Sequence, residues 1–448
     1  MDLPREPESD TRKQGSGLVG EWRTRQAMCL TGVKLAVLLA IGLATSNCSS
    51  PLVTVNNEDS GGGAAQQHAE CEQYPIYEQC AVIETSSGSN RYTLLKADPS
   101  TELTTLVDFG GPGIAALSGS YRLTAVHNRL QSLGSSRNLL VVEEPWVTFE
   151  LGDVCKDALA TLHQSIASSN DQELAKSTNA CLGHQEVGGT SRFGFDSESY
   201  VEVIDAIERA EQVVIDQFIG FSFGSVRATY LAEKLQGASV VLVDPFPVGS
   251  DTAEILSHRA EKLKSWLSDT PAVTEKLSDV RVASALVAAS YGGTDVFTDF
   301  VARLDSGSIS ENEIDDMYRS TWNLYGDSVV SLAYLAYIEE FCQVGNVTED
   351  KSPNIPPTEA NSPIDDVLQL YHSPCVADRV TTNPVSPTIE PDCIVVNTQD
   401  ANSDTAMITK SFGTPVTTYA DTSVPHAWFG SLSRCGASIG TPTRYVLR

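Results

Sequence analysis

Short runs of apolar residues punctuate the chain from about residue 90 onward: Leu103–Asp108, Asn138–Glu143, Gln217–Phe221, Ser239–Asp244, Cys393–Asn397 and Pro415–Tyr419. Each is bounded by turn residues and separated from the next by helix-length segments. That rhythm predicts a mainly parallel sheet buried between helices. Tyr200–Gln212 sets Val201, Val203, Ile204 and Ile207 at helical spacing, and Val226–Leu235 predicts a second helix. Between 250 and 375 the rhythm breaks. Helical patterns over 252–268, 272–291, 310–322 and 328–342 follow one another without a strand, as expected of a helical cap inserted before the last strands. The stretches 343–364 and 376–392, rich in Pro, Asn, Ser and Thr, predict loops.

The N-terminal region has a different pattern. Residues 1–34 are polar and carry Arg5, Arg12, Lys13, Arg23, Arg25 and Lys34; the apolar run Leu35–Ala44 that follows is short for a bilayer span. Ala44 and Ser46 have the spacing of a cleavage site, so 1–47 reads as a signal peptide, for which Met28 is an alternative start. Cys48 leaves two outcomes open: secretion of a free protein, or lipid attachment at its thiol and a membrane-anchored lipoprotein. An uncleaved signal is a third. Residues 48–70, with Gly61-Gly62-Gly63, read as a flexible tether. The expected organisation is then a catalytic core over 71–249 and 376–448, with the cap at 250–375.

Composition narrows the function. The 448 residues are 41% hydrophobic and 20% charged, as in ordinary globular proteins. Acidic residues outnumber basic ones 58 to 30, and a net charge of −28 argues against a nucleic-acid partner. Beyond Cys48 the chain carries eight cysteines, an even number suited to disulfides in an exported protein. Proximity suggests the pairs Cys71 with Cys80, Cys155 with Cys181, Cys342 with Cys375, and Cys393 with Cys435. The cysteines show no C-x-x-C spacing and the seven histidines are scattered, so neither a metal nor another cofactor is expected.

The strongest chemical signal is Gly220-Phe221-Ser222-Phe223-Gly224, a G-x-S-x-G between a predicted strand and a predicted helix. In that context the serine sits on a sharp turn above the sheet, and small residues at ±2 let the backbone pass closely. Ser222 is therefore the candidate nucleophile. A hydroxyl needs a base, and the base an orienting acid; in this arrangement they follow in the order Ser, acid, His. His426, in the loop Ser423–Trp428 after the last strand, is the candidate base; His372 lies at the end of the cap and His258 too soon after the elbow. Asp400, just past the strand Cys393–Asn397, is the candidate acid, with Asp404 as runner-up or N-cap. Gly110-Gly111-Pro112-Gly113 follows Leu103–Asp108, and the N–H groups of Gly111 and Phe223 are the candidate oxyanion donors.

Together, GGPG after an early strand, GFSFGS, the late Asp and the terminal His resemble the exported tripeptidyl-aminopeptidase branch of the α/β-hydrolases, related to the proline iminopeptidases. The resemblance covers most of 71–440. It implies an α/β-hydrolase fold and release of tripeptides or single residues from free N-termini through an acyl-enzyme. It further implies a helical cap whose acidic groups hold the substrate amine, for which Glu339 and Glu340 are the candidates. The chain departs from that pattern at Glu143–Thr148, which has no Arg-Gly, at Phe109 before GGPG, and at Pro425-His426-Ala427. An esterase or lipase using the same triad, and a hydrolase-fold binding protein with impaired catalysis, remain as alternatives. A dehalogenase or epoxide hydrolase would need an Asp where the chain has Ser222. The expected partner is a peptide or a small ester; the oligomeric state stays open.

Overall fold

The computed structural model describes residues 80–440 except 118–119, 148–152, 184–192, 268–272, 274–278, 323, 326–328, 331, 345–361 and 378–388. The expected signal peptide and tether, Cys48 and Cys71 lie outside the described residues.

Eight strands form the main sheet: β1 (Cys80–Thr85), β2 (Gly88–Leu95), β3 (Leu103–Asp108), β4 (Asn138–Val142), β5 (Val214–Phe221), β6 (Ser239–Val243), β9 (Cys393–Asn397) and β10 (Val416–Tyr419). A two-residue ladder, β7 (Leu324–Tyr325) with β8 (Val329–Val330), lies apart from it. The order across the main sheet is β1-β2-β4-β3-β5-β6-β9-β10. Every pair from β4 to β10 is parallel, and β2 joins β1 and β4 antiparallel. With a serine turn after β5, this is the α/β-hydrolase fold. The six strands expected from the sequence form to within three residues at their ends. The β1–β2 hairpin is additional, since its alternation is broken by polar and charged positions and a tight turn.

The apolar runs are continuous because both faces of the sheet are covered. Alternate residues serve opposite sides: Leu106, Leu140, Phe218, Leu242 and Ile394 pack in one core, and Val107, Val141, Ile219, Val243 and Val395 in the other. The first core is closed by α4 (Ser197–Glu211) and α5 (Gly224–Tyr230), the second by α1 (Ser120–Ser132). Asp196 starts α4 with a capping box, its carboxylate accepting from Ser199 N at 2.7 Å.

A third core lies within the helical layer that follows β6: α6 (Thr252–Leu267), α7 (Val280–Ser290), α8 (Thr294–Asp305), α9 (Glu311–Trp322), α10 (Leu332–Val344) and α11 (Pro363–Ala377). Helices α8 and α11 were not expected from the sequence. The same core takes in Leu159 and Leu162 of α2 (Asp153–Ala167) and Leu174 of α3 (Asp171–Gly183). The helical layer is thus assembled from two parts of the chain, one before β5 and one after β6. Disulfides fasten it at Cys155–Cys181 and Cys342–Cys375, and Cys393–Cys435 ties β9 to the C-terminal turns. Cys80 is also disulfide-bonded.

The parallel strands end together. Asp108 is level with Gly220, Phe221 with Val243, and Val243 with Val395. Open α/β sheets carry their sites at this carboxyl edge.

Candidate active site

At the end of β5 the chain turns through Ser222, whose φ of +49° is left-handed for a residue with a side chain. Neighbouring strands hold the turn: Ser222 N donates to Val243 O at 3.0 Å, and Ser222 O accepts from Phe246 N at 3.0 Å and Ser225 N at 3.1 Å. The flanking glycines are dictated by space. A Cβ on Gly224 would stand 2.9 Å from Asp108 O, and one on Gly220 2.9 Å from the Gly224 carbonyl carbon. This is the physical content of the G-x-S-x-G spacing.

Ser222 Oγ lies 2.8 Å from His426 Nε2, and His426 Nδ1 meets Asp400 Oδ2. A carboxylate can only accept, so Nδ1 carries the proton and Nε2 is left to accept from the serine hydroxyl. Asp400 is held by Asn402 N at 2.9 Å, Asn402 Nδ2 at 3.1 Å and Ser403 Oγ at 2.8 Å. Burial pushes its carboxyl up, but His426 and these donors outweigh burial and leave it below the ordinary range. Burial pushes the His426 imidazolium down, and Asp400, with a further contribution from Asp244, more than reverses this, so its pKa is raised. The His426 main chain is fixed by its N–H to Tyr291 O at 2.9 Å, and its ring meets that of Tyr291 edge-on at 5.7 Å.

Gly111 and Phe223 line the same cavity as Ser222 and His426. Among the described residues nothing accepts from either N–H. The loop Gly110–Gly113 is wedged against the elbow: a Cβ on Gly110 would lie 2.2 Å from Phe221 O, and its φ is +73°.

Glu339 and Glu340 do not line this cavity. Glu339 accepts from Phe193 N and Gly194 N at 2.9 and 3.0 Å, and Glu340 from Phe195 N at 2.9 Å. Glu340 also receives Arg227 Nε at 3.0 Å and Nη2 at 2.8 Å. Their place in a helical pattern does not say which way they face; backbone donors engage half-buried Glu339, and backbone and guanidinium donors engage buried Glu340, without a substrate. Nor does Asp404 reach the imidazole of His426. It caps α12 (Thr405–Phe412) through Ala406 N at 2.7 Å and Met407 N at 3.1 Å, and pairs with His258 at 2.9 Å. His372 is buried, bonded to Leu368 O at 2.7 Å and Tyr337 Oη at 2.8 Å, and desolvation lowers its pKa to about 4.

Two groups at the site escaped the sequence reading. Asp244, one residue past β6, accepts from Asn397 N at 2.7 Å and Ala427 N at 3.2 Å. It thereby ties the strand before Asp400 to the residue after His426. Burial, then repulsion from Asp400, raises its pKa to about 7. The criterion that singles out Asp400, a carboxylate just past a strand, applies equally to Asp244. Asp244, Asp400 and His426 are also the one group of potential metal ligands among the described residues, all within 4.8 Å. Their inward-facing atoms are already taken by N–H donors and by one another, which suits proton handling rather than cation binding.

The other group is Arg227, buried in α5 among three carboxylates. Besides Glu340 it reaches Asp108 Oδ1 at 3.3 Å and Glu144 Oε1 at 2.6 Å. Asp108 in turn accepts from Gly110 N at 2.8 Å and Tyr200 Oη at 2.9 Å, and Glu144 from Gly113 N at 2.6 Å and Trp146 Nε1 at 2.9 Å. Both ends of the glycine loop are therefore anchored on the Arg227 cluster. A lone arginine between Val226 and Ala228 was the signal in the sequence.

No family profile and no curated protein matches the chain in sequence. Solved structures do. An α/β-hydrolase fold protein from Nakamurella multipartita is 13% identical, with 81% of this chain and 99% of that one covered and a TM-score of 0.34. A hydrolase from Pseudomonas aeruginosa is 12% identical, with 81% and 97% covered and a TM-score of 0.34. The proline iminopeptidase of Mycobacterium smegmatis is 13% identical, with 81% and 96% covered and a TM-score of 0.35.

Removing the guanidinium should strand three buried carboxyls. Burial already raises the Glu340 pKa to about 8, with Arg227 opposing the rise. A folded-state pKa above the unfolded one means stability is lost as pH rises from the ordinary carboxyl range through the folded value. Arg227→Met is thus expected to lose about 3–5 kcal/mol, with a larger loss at pH 8 than at pH 5.5 in urea titrations. A small loss equal at both pH values would contradict this account of the cluster.

Proposed function

We propose that the chain is an exported serine hydrolase that cleaves acyl bonds through Ser222, acting on carboxylic esters in preference to free peptide N-termini. The observation that carries this reading is the 2.8 Å contact of Ser222 Oγ with His426 Nε2, on a left-handed elbow and backed by Asp400. In the reaction, Ser222 Oγ attacks the acyl carbon while His426 Nε2 takes its proton. The developing oxyanion accepts from Gly111 and Phe223 N–H. The tetrahedral adduct collapses, His426 returns the proton to the leaving alcohol, and a water attacks the acyl-enzyme by the same steps.

The preference for esters rests on the cavity wall. An aminopeptidase needs a carboxylate free to hold the substrate ammonium. Glu339 and Glu340 are engaged elsewhere, and Asp404, which does line the cavity, is paired with His258. Phe246, Pro247, Ile255, Leu256, Phe341 and Met407 line the same cavity and suit an apolar acyl or alcohol group. Export is supported by the disulfides at 155–181, 342–375 and 393–435, which persist in oxidising compartments.

Turnover should require Ser222 and a neutral His426. On a panel of nitrophenyl butyrate and of free-amine and N-blocked peptide anilides, the ester is expected to be cleaved, with Ser222→Ala at least about 1,000-fold slower. Cleavage confined to free-amine anilides would return the protein to the aminopeptidase reading, and full activity of Ser222→Ala would remove the nucleophile. Because the His426 pKa is raised above its ordinary value of 6.5, the rate should climb through a midpoint above that value. Asp244→Asn removes a charge that favours the imidazolium, so that midpoint should fall; a rise would contradict the assignment.

A further inference from the structure

The ionisable groups lining the Ser222 cavity differ in one respect: which of them already has a partner. Asp244 is held by two backbone N–H groups and Asp404 by two more and His258. His372 is hydrogen-bonded at both ring nitrogens. Arg259, one residue along α6 from His258, has no hydrogen-bond partner among the described residues. Its Nε and Nη2 are shut off from water as well. Its contact is with a ring: the guanidinium carbon stands 4.7 Å from the Tyr291 centroid, and Tyr291 is the residue that meets His426 edge-on. His258 Nε2, with its other nitrogen on Asp404, is likewise buried without a partner.

A guanidinium that is partly desolvated and unpaired is an incomplete arrangement. Buried cations are ordinarily matched by an anion, and the attraction for one grows as water is excluded. Among the described residues the carboxylates lining the cavity, Asp244 and Asp404, do not supply it, since each is already engaged. We infer that Arg259 is the anion-binding residue of this cavity, and that the substrates carry a free carboxylate a few bonds from the scissile acyl carbon. Half-esters of dicarboxylic acids have this chemistry. Arg259 would hold the distal carboxylate against the Tyr291 face while the acyl carbon lies at Ser222, with the apolar wall around the linker between them. A chain of net charge −28 repels anions at long range, so their selection has to come from a local cation of this kind. The inference deepens the ester-hydrolase reading and rests on it for the identity of the reacting bond.

The test compares 4-nitrophenyl hemiglutarate with the neutral 4-nitrophenyl valerate. The wild type is expected to favour the hemiglutarate in kcat/KM by about tenfold or more, as a charged hydrogen bond provides. Arg259→Met should abolish that preference, and Arg259→Lys should keep part of it. An equal ratio in wild type and Arg259→Met, or a wild-type preference for the neutral ester, would overturn the proposal. A second measurement is independent of catalysis: glutarate should raise the melting temperature of Ser222→Ala but not of the Ser222→Ala, Arg259→Met double variant. Failure of both esters to turn over while glutarate still stabilises through Arg259 would refute the ester reading and keep the anion site. Loss of the glutarate effect would refute the anion site whatever the turnover.

Discussion

One guanidinium holds the floor of the Ser222 cavity together. Arg227 leaves the helix that follows the elbow and meets Asp108 at the end of β3, Glu144 just past β4, and Glu340 from the helical layer. Through Asp108 and Glu144 it also fixes both ends of the Gly110–Gly113 loop, whose Gly111 lines the cavity. Three carboxylates around one cation cannot all ionise cheaply in a dry interior, and burial raises both Glu144 and Glu340 accordingly. What such a cluster supplies is geometry: buried ion groups add little net stability but are costly to break. The elbow helix, the glycine loop and the helical layer are therefore joined through one side chain.

A second, smaller network sits on the other side of Ser222. Asp244 joins the residue at the end of β9 to the residue after His426, while Asp400 holds the imidazole itself. Two carboxylates near one imidazole favour its charged form. With a hydroxyl within hydrogen-bond reach of an imidazole in one cavity, acyl transfer is the chemistry the arrangement suits.

The parts legible in the sequence are those fixed by local rules. Continuous apolar runs marked the parallel strands because both sheet faces are covered, and Gly220 and Gly224 marked the elbow because a Cβ at either would collide with backbone. Asp400 and His426 followed from chain order, and three disulfides from proximity along the chain. What stayed hidden depends on contacts between distant segments. Glu339 and Glu340, the acids expected to hold a substrate amine, are seen to be engaged elsewhere only once α10 is packed against residues 193–195 and Arg227. That α2 and α3 join the helical layer could not be read from amphipathic spacing, which reports that a face is buried and not against what. Arg259 offers no motif; that it has no hydrogen-bond partner among the described residues shows only in three dimensions.

The central claim is that Ser222 is the nucleophile, raised by its elbow and activated by His426. The most direct measurement is reaction of the folded protein with a fluorophosphonate, followed by peptide mass spectrometry to locate the adduct. The account predicts a single adduct on Ser222, formed much more slowly in His426→Ala. Labelling at another serine, or none at a concentration that modifies a control serine hydrolase, would contradict it.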